Sequence, residues 1–208
     1  MNQPENPESS AGYYRRMQSA VEELLVLRGI LTPEGIEEQV AAMDSRTYKP
    51  GTAIVARAWV DAAYKARLLT DPRAAVAELG FSLGPMHLIV IENTPTVHNV
   101  VVCTLCSCYP RMLLGVPPHW YKSREYRSRV VREPRAVLAE FGCELPAGID
   151  IRVHDSTADM RYMVLPMRPA GTEGLSEAAL AELVTRDSLV GVGLAGAGAT
   201  ATTATTAT

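Results

Sequence analysis

The chain has 208 residues, 47% of them hydrophobic and 21% charged, and a formal net charge of −3. This length is enough for one sizeable core, and the small negative charge excludes the basic surface typical of proteins that bind nucleic acid or anionic membranes. Four cysteines, three of them within six residues, do not make a disulfide framework. Because neither a signal peptide nor a membrane-length apolar stretch is visible, we expect a cytoplasmic protein.

Both ends of the chain have the composition of disordered segments. Residues 1–10 are polar and rich in proline, and residues 192–208 are almost entirely Gly, Ala and Thr. Such segments carry too few large apolar side chains to form a core. We therefore expect a disordered N-terminus at 1–10 and a low-complexity disordered tail at 192–208.

Two amphipathic helices are predicted at 11–56. In the first, which ends near Gly29, apolar residues recur at helical spacing: Tyr14, Met17, Val21, Leu24 and Leu25. Thr32 and Pro33 supply the cap and the first-turn proline of the second helix. Because these helices have little core of their own, we expect a helical arm that packs on a partner subunit. The alternative is that the arm packs on the rest of the same chain.

An internal repeat occupies much of the remaining chain. Residues 64–80 align with residues 126–142 at an interval of 62, and in both segments a proline begins the second helix and a glycine ends it. A tryptophan precedes each segment. A strand–turn–strand pattern follows each segment: 88–92 with 98–102, and 149–154 with 161–165. The chain therefore contains two copies of a helix–helix–hairpin unit.

The repeat predicts an α+β fold, with an N-terminal helical arm followed by an internally duplicated helix–hairpin core in layered α-β-β-α packing. Each copy, 58–102 or 120–165, would bury too little apolar area to fold alone. We therefore expect the copies to pack sheet against sheet with approximate twofold symmetry. Both lie in a predicted core at 57–191, which ends with a helix capped by Ser176.

Three cysteines lie between the two copies, in the run Cys103-Thr104-Leu105-Cys106-Ser107-Cys108. A structural zinc site needs four side-chain ligands, usually in two separated pairs, and no second cluster is visible. Three sulfurs from one turn leave the intervening amides facing the same point. This pattern favours a metal held by sulfur and main-chain nitrogen, with one position open for chemistry. The alternatives are a structural zinc or iron–sulfur site and a redox disulfide between the first two cysteines.

This turn, with Val101-Val102 before it and Tyr109-Pro110 after it, resembles the metal-binding loop of nitrile hydratase α subunits and of the related thiocyanate hydrolase γ subunits. The resemblance extends over about residues 12–192, with further similar segments at 92–99, 114–123, 126–131, 161–166 and 168–172. It implies a nitrile hydratase α subunit, a hydro-lyase that converts a nitrile into an amide. The alternative is a thiocyanate hydrolase γ-type subunit that uses the same metal centre.

The resemblance also implies the composition of the metal centre. A trivalent metal would bind the sulfurs of Cys103, Cys106 and Cys108 and the deprotonated main-chain amides of Ser107 and Cys108. Cys106 would be oxidised to sulfinic acid and Cys108 to sulfenic acid, so that Cys106, Ser107 and Cys108 form the catalytic group. Oxygens on sulfur would act as nucleophile or base.

The identity of the metal and of the partners is implied in the same way. Thr104 and Tyr109 accompany cobalt in this family, whereas iron members tend to have Ser and Thr there, so cobalt is favoured over iron. The family has a β-type partner subunit, single or split in two, whose arginines bind the oxidised cysteines. A metallochaperone can assist loading. A different possibility is a metal-carrying subunit that is inactive without its partner.

Three positions depart from the hydratase pattern. Arg111 replaces the usual tryptophan and is similar to thiocyanate hydrolase γ subunits. A guanidinium three residues after Cys108 could bind an anionic substrate or an oxidised sulfur, or it could point to water. Gly84 stands where hydratases often have a glutamine that positions the substrate, and His154 stands where they commonly have tryptophan.

Two further residues with reactive side chains are expected to be structural. His98 lies five residues before Cys103, and we expect it to form hydrogen bonds near the site instead of binding metal. Cys143 ends a predicted helix, where a buried, inert thiol is the usual role of a lone cysteine.

Overall fold

The computed structural model describes residues 10–197. The chain divides into two compact units, with the division between Ser45 and Arg46. The segments predicted to be disordered lie mostly outside the described residues, although Ser10 begins a helix and Val192 is fully buried. None of the helices in the described range is long and apolar enough to cross a membrane.

The N-terminal unit consists of two helices, α1 (Ser10–Leu27) and α2 (Pro33–Asp44). Gly29 has a positive φ after α1, and the Thr32 hydroxyl accepts a hydrogen bond from the Gly35 N–H at 3.1 Å to cap α2, as the sequence predicts. Much of the apolar stripe of α1 is exposed: Tyr14, Met17, Val21 and Leu24. No residue of α2 is buried, so this unit has little core of its own.

The second unit begins with three helices and two strands. They are α3 (Lys49–Val60), α4 (Ala62–Thr70), α5 (Pro72–Glu78), β1 (His87–Glu92) and β2 (Val97–Val102). Helix α3 crosses residue 56, where the sequence predicted the end of the arm, and residues such as Ile54 and Val55 are fully buried. Helix α3 therefore belongs to the second compact unit, which begins at Arg46.

The second copy of the internal repeat has the same order of helices and strands as the first copy. Short helices α6 (Arg111–Leu114) and α7 (His119–Lys122) lead to α8 (Arg124–Arg129), α9 (Pro134–Glu140), β3 (Asp150–Asp155) and β4 (Met160–Leu165). Two short helices follow, α10 (Glu177–Ala181), which is capped by Ser176 as predicted, and α11 (Arg186–Val190). Helices α8 and α9 begin 62 residues after α4 and α5. Strands β3 and β4 begin 63 residues after β1 and β2.

Pairing of the strands differs from the predicted hairpins. Strand β1 pairs in parallel with β4, and β2 pairs in parallel with β3. Each sheet therefore takes one strand from each copy. His87 lies opposite Met160, and Val97 lies opposite Asp150. A shift of 63 residues converts either pair into the other, so the register itself has the predicted twofold symmetry. The α+β class is confirmed, and the prediction of paired strands within each copy is wrong.

One hydrophobic core joins both sheets to the helices. It includes Ile54 of α3, Leu68 of α4, Val100 of β2, Leu138 of α9 and Met163 of β4. All five side chains are fully buried. Since β2 lies within this core up to its last residue, the chain that follows it starts from a fixed position.

Candidate metal centre

The three cysteines lie in the loop that leaves β2 and leads to α6. Cys103 directly follows the buried end of β2 and is itself only 1% exposed. Cys106 is exposed, and Cys108 is intermediate. The loop thus carries its sulfurs from the core to the surface, at the point where the chain passes from the first copy to the second.

The sulfurs converge on one point. The Cys103 and Cys106 Sγ atoms are 3.5 Å apart, and the Cys106 and Cys108 Sγ atoms are 3.3 Å apart. All three lie within 4.8 Å of one another. Thiolates are soft ligands for transition metals, and three of them at these distances fit a single ion bound from one side.

Main-chain N–H groups of the loop lie on the same side as the sulfurs. The Cys106 N–H donates to Cys103 Sγ at 3.2 Å. The thiols of Cys108 and Cys103, together with the N–H groups of Ser107 and Cys108, hold the pKa of the Cys106 thiol below its ordinary value. Burial and the neighbouring thiols raise the pKa of Cys108 to about 12. The structure therefore brings together all four residues predicted to bind the metal.

Asp155, at the end of β3, fixes the start of the loop. Its carboxylate accepts hydrogen bonds from the Thr104 N–H at 2.9 Å and from the Thr104 hydroxyl at 2.5 Å. Because Asp155 also lies opposite Val102 in the β2–β3 ladder, the loop is anchored to the sheet on both sides of Cys103. Our sequence reasoning did not identify Asp155, since nothing in its spacing connects it with the cysteines.

Two side chains from the second copy of the repeat donate hydrogen bonds to the rest of the cysteine loop. The Arg127 Nη1 of α8 donates to the carbonyls of Leu105 at 3.1 Å and Cys106 at 3.3 Å. The Tyr121 hydroxyl of α7 donates to the Cys108 carbonyl at 2.8 Å. Both residues lie in segments that carry the family resemblance, but a role at the loop was not predicted for either.

Aromatic side chains underlie the loop. Tyr109 is buried, and its ring packs edge-to-face on the ring of Tyr121 with centroids 5.0 Å apart. The Tyr126 hydroxyl donates to the Val101 carbonyl at 2.7 Å, whereas the buried Tyr109 hydroxyl finds no hydrogen-bond partner among the described residues. Burial raises the pKa of Tyr109 and Tyr121 well above the usual range, so both phenols stay protonated.

A cleft of about 360 Å³ opens beside the cysteines. Cys106, Ser107 and Cys108 form part of its wall together with Arg111 and Arg161. The other lining residues are mainly apolar: Leu83, Pro85, Met86, Tyr109 and Met112. The lining therefore combines an apolar wall with two guanidinium groups, and the part of the chain that the structure describes adds no carboxylate to it. Arg111 lies beside the cysteines in this lining.

The segment around Gly84 borders this cleft. Its neighbours on both sides line the cleft, while the Gly84 carbonyl accepts a hydrogen bond from Arg73 at 3.0 Å. Gly84 has φ +59, a conformation that L side chains rarely adopt. This position therefore contributes no side chain to the cleft.

The histidines near the site form structural hydrogen bonds. His98 is buried, its Nε2 lies 2.7 Å from the Gly191 carbonyl, and its Nδ1 lies 3.2 Å from the amide nitrogen of Asn93. Because a carbonyl only accepts, Nε2 carries the proton and Nδ1 is the acceptor. The His154 Nε2 bonds the Asn99 side-chain oxygen at 2.9 Å. Neither histidine belongs to the group of sulfurs.

Cys143 lies apart from the other cysteines. It is buried among the side chains of the hydrophobic core. Burial raises the pKa of its thiol, which makes the reactive thiolate scarce. This environment agrees with the inert role expected from the sequence.

Comparison with known proteins gives consistent matches. The family model for the nitrile hydratase α chain matches residues 13–193. The low-molecular weight cobalt-containing nitrile hydratase subunit alpha of Rhodococcus rhodochrous is 52% identical over 177 residues, which cover 83% of this chain and 84% of that protein. The match includes the cysteine loop, as the family model also does.

Two solved structures have the same fold. A double mutant of the Fe-type nitrile hydratase from Comamonas testosteroni Ni1 superposes with a TM-score of 0.84 at 44% identity, over 96% of this chain and 98% of that one. A recombinant thiocyanate hydrolase comprising partially modified cobalt centres superposes with a TM-score of 0.82 at 41% identity, over 88% and 89%. With its converging cysteines and its match to the family model over almost its whole described length, the chain belongs to the nitrile hydratase α chain family of hydro-lyases.

Proposed function

We propose that the chain is the cobalt-binding α subunit of a heteromeric nitrile hydratase, which adds water across the carbon–nitrogen triple bond of a nitrile to form the amide. The observation that carries this proposal is the convergence of three cysteine sulfurs within 4.8 Å at the wall of a cleft. The cleft is open to small molecules, and its apolar side chains suit the hydrocarbon part of a nitrile.

Cobalt would be held by the sulfurs of Cys103, Cys106 and Cys108 and by the main-chain nitrogens of Ser107 and Cys108. When bound, the ion supplies Lewis acidity toward a nitrile or water. Cobalt is favoured over iron by Thr104 and Tyr109 and by the cobalt-containing relative, although an Fe-type hydratase shares the fold. The N–H groups of Ser107 and Cys108 lower the pKa of the Cys106 thiol, which supports their nitrogens as ligands.

We further propose that Cys106 carries a sulfinic acid and Cys108 a sulfenic acid. These are the two loop cysteines that solvent reaches, whereas Cys103 is 1% exposed. Oxidation of a cysteine follows exposure and thiolate character, so this difference in exposure supports the assignment. A sulfenate survives only when it is shielded and hydrogen-bonded.

A β-type partner would complete this shielding with arginines. The exposed tip of the loop at Leu105, which is 88% exposed, and the exposed stripe of α1 are surfaces that a partner subunit could cover. The Cys108 sulfenate oxygen would then act in one of two ways. In the first, it attacks the nitrile carbon, and water then cleaves the new oxygen–sulfur-linked intermediate to release the amide and restore the sulfenate. In the second, it accepts the proton of a water that attacks the nitrile carbon and passes that proton to the nitrile nitrogen.

Thiocyanate hydrolysis is the second candidate, and the two guanidinium groups in the cleft favour it. Arg111 and Arg161 lie beside Cys108, and no carboxylate of the described residues lines the cleft, so the cleft suits an anion. The fold is shared with a thiocyanate hydrolase. The products distinguish the two reactions, because a hydratase forms an amide, whereas the hydrolase releases carbonyl sulfide and ammonia.

The first experiment is the intact mass and metal content of the chain produced with cobalt. One cobalt per chain and about three added oxygens (roughly 48 Da), mapped to Cys106 and Cys108, would support the oxidised centre. Zinc with unmodified thiols would contradict it. The complex with its partner is then assayed with neutral nitriles and with thiocyanate. Amide formation supports the first candidate, and turnover of thiocyanate alone supports the second.

A further inference from the structure

The guanidinium of Arg127 lies outside the cysteine loop and contacts two successive peptide groups. Nη1 donates to the carbonyls of Leu105 and Cys106, and Nε donates to the Ser123 carbonyl at 3.3 Å, which keeps the side chain in place. The ion pairs found among the described residues do not include Arg127. By contrast, Arg129 of the same helix binds the carboxylates of Glu133 and Glu140.

The orientation of these peptide groups determines which way their nitrogens face. In a trans peptide the carbonyl oxygen and the N–H point in opposite directions, and the described residues contain no cis peptide bond. When Arg127 draws the Leu105 oxygen outward, the Cys106 N–H turns inward, where it meets Cys103 Sγ at 3.2 Å. In the same way, holding the Cys106 oxygen outward turns the Ser107 nitrogen toward the sulfurs.

The positive charge of Arg127 would also stabilise this orientation of the peptide groups. An amide nitrogen that donates to a metal shares its negative charge with the carbonyl oxygen of the same peptide group. For the Ser107 nitrogen that oxygen belongs to Cys106, and Arg127 lies 3.3 Å from it. Hydrogen bonds from a charged donor to a charged acceptor are stronger than those between neutral groups. The loop would also carry the negative charges of the Cys103 thiolate and of the two oxidised sulfurs, so a nearby cation favours the ligated form.

We propose that Arg127 is a positioning residue of the metal centre, which turns the Ser107 nitrogen toward the ion and places a positive charge at the Cys106 carbonyl oxygen. This inference rests on the ligand set given in the proposed function. It differs from the role of partner arginines, because Arg127 belongs to this chain and binds the loop from the side of the carbonyls.

The test compares Arg127→Lys, Arg127→Gln and Arg127→Met in the full chain with its partner, produced at graded cobalt concentrations. Cobalt per chain and the sulfur-to-cobalt charge-transfer absorption are the readouts. For Arg127→Met we expect the cobalt concentration for half occupancy to rise about tenfold and the absorption band to shift. Arg127→Lys keeps the charge and should recover more occupancy than Arg127→Gln.

Arg124→Gln is the matched control, since Arg124 lines the same exposed groove as Arg127, whereas the hydrogen bonds to the Leu105 and Cys106 carbonyls come from Arg127. Unchanged occupancy and absorption in Arg127→Met would overturn the inference, as would an equal loss in Arg124→Gln or in all three Arg127 variants. Circular dichroism of each variant reports folding, and if Arg127→Met does not fold, the Lys and Gln variants decide. Failure of the wild-type chain to bind cobalt through the loop would instead refute the proposed function.

Discussion

A contact between Asp155 and Thr104 joins the second copy of the repeat to the metal loop that follows the first copy. The Asp155 carboxylate accepts both the N–H and the hydroxyl of Thr104, while its own strand pairs with β2. Strand pairing therefore holds Val102, and the Asp155 carboxylate holds Thr104. Because Cys103 lies between these two residues, both interactions determine its position.

Replacement of Asp155 by alanine should weaken metal binding more than it weakens the fold. The Thr104 N–H would lose its side-chain acceptor, so the loop start would be free to rotate; because the pair is exposed, we expect a loss of only about 1 kcal/mol in the free energy of unfolding. Cobalt per chain should fall several-fold. Asp150→Ala, at the exposed start of the same strand, is the control. Equal cobalt content in Asp155→Ala and wild type would show that the clamp is dispensable.

Two tyrosines near the loop should respond differently to removal of the hydroxyl. Tyr126→Phe leaves the Val101 carbonyl without a buried donor, and we expect a loss of about 1–2 kcal/mol in the free energy of unfolding. Tyr109→Phe removes a buried hydroxyl that has no hydrogen-bond partner within residues 10–197, so stability should stay the same or increase. Urea denaturation of the metal-free chains measures both. A larger loss for Tyr109→Phe than for Tyr126→Phe would contradict the hydrogen bonding described here.

Gly191 should not tolerate a side chain. Its φ is +88, and a Cβ atom would lie 2.0 Å from the Asn99 carbonyl oxygen. Strain and overpacking together predict a loss of about 3 kcal/mol or more in Gly191→Ala. Gly80→Ala has a similar positive φ but open space around the new atom, so it should cost only about 1 kcal/mol. Thermal or urea unfolding that gave equal losses would show that the contact with Asn99 can relax.

His98 should make stability depend on pH below neutrality. Burial lowers the pKa of its imidazole below the ordinary 6.5, so the unfolded chain binds the proton more tightly. Its contribution is fully present above pH 6.5 and is lost as the pH falls below that value, by up to about 1.4 kcal/mol per pH unit. His98→Gln should flatten this dependence between pH 7.5 and 5.5 in urea unfolding, whereas His119→Gln, at an exposed position, should keep it. Parallel profiles for wild type and His98→Gln would refute the prediction.

Arg111 should affect anionic and neutral substrates differently. Arg111→Gln removes one of two cations in the cleft, so thiocyanate, measured as a substrate or as an inhibitor of nitrile hydration, should bind about tenfold more weakly, equivalent to about 1.4 kcal/mol. The KM for a neutral nitrile should change less than twofold. Steady-state kinetics of the partner-bound enzyme measure both, and equal changes for the two substrates would show that Arg111 does not contact the anionic group.

The helices and the duplication could be read from the sequence, but the strand partners could not. Prolines and glycines at matching positions define α5 and α9, because these residues act locally at helix ends. Alternation of apolar residues identifies a strand without identifying its partner. The short link between β1 and β2 suggested a hairpin, yet each strand pairs across the two copies, a choice that depends on how the whole core packs.

The candidate site was predictable where its residues are adjacent in the chain. Cys103, Cys106 and Cys108 share one turn, so their convergence needs no knowledge of the fold. By contrast, Asp155 and Arg127 contact loop residues that lie 51 and 22 positions before them in the sequence. Only tertiary structure creates such contacts, which is why sequence spacing gave no indication of them.

The exchange of strands between the copies sets an order for the assembly of the protein. When the ribosome has released the chain as far as Cys108, all three sulfurs are present, but β1 and β2 still lack both of their partners. The loop can acquire its shape only after β3 and Asp155 have been made. A metal delivered earlier would therefore meet flexible thiols, so correct loading has to wait until the second half of the chain has docked on the first.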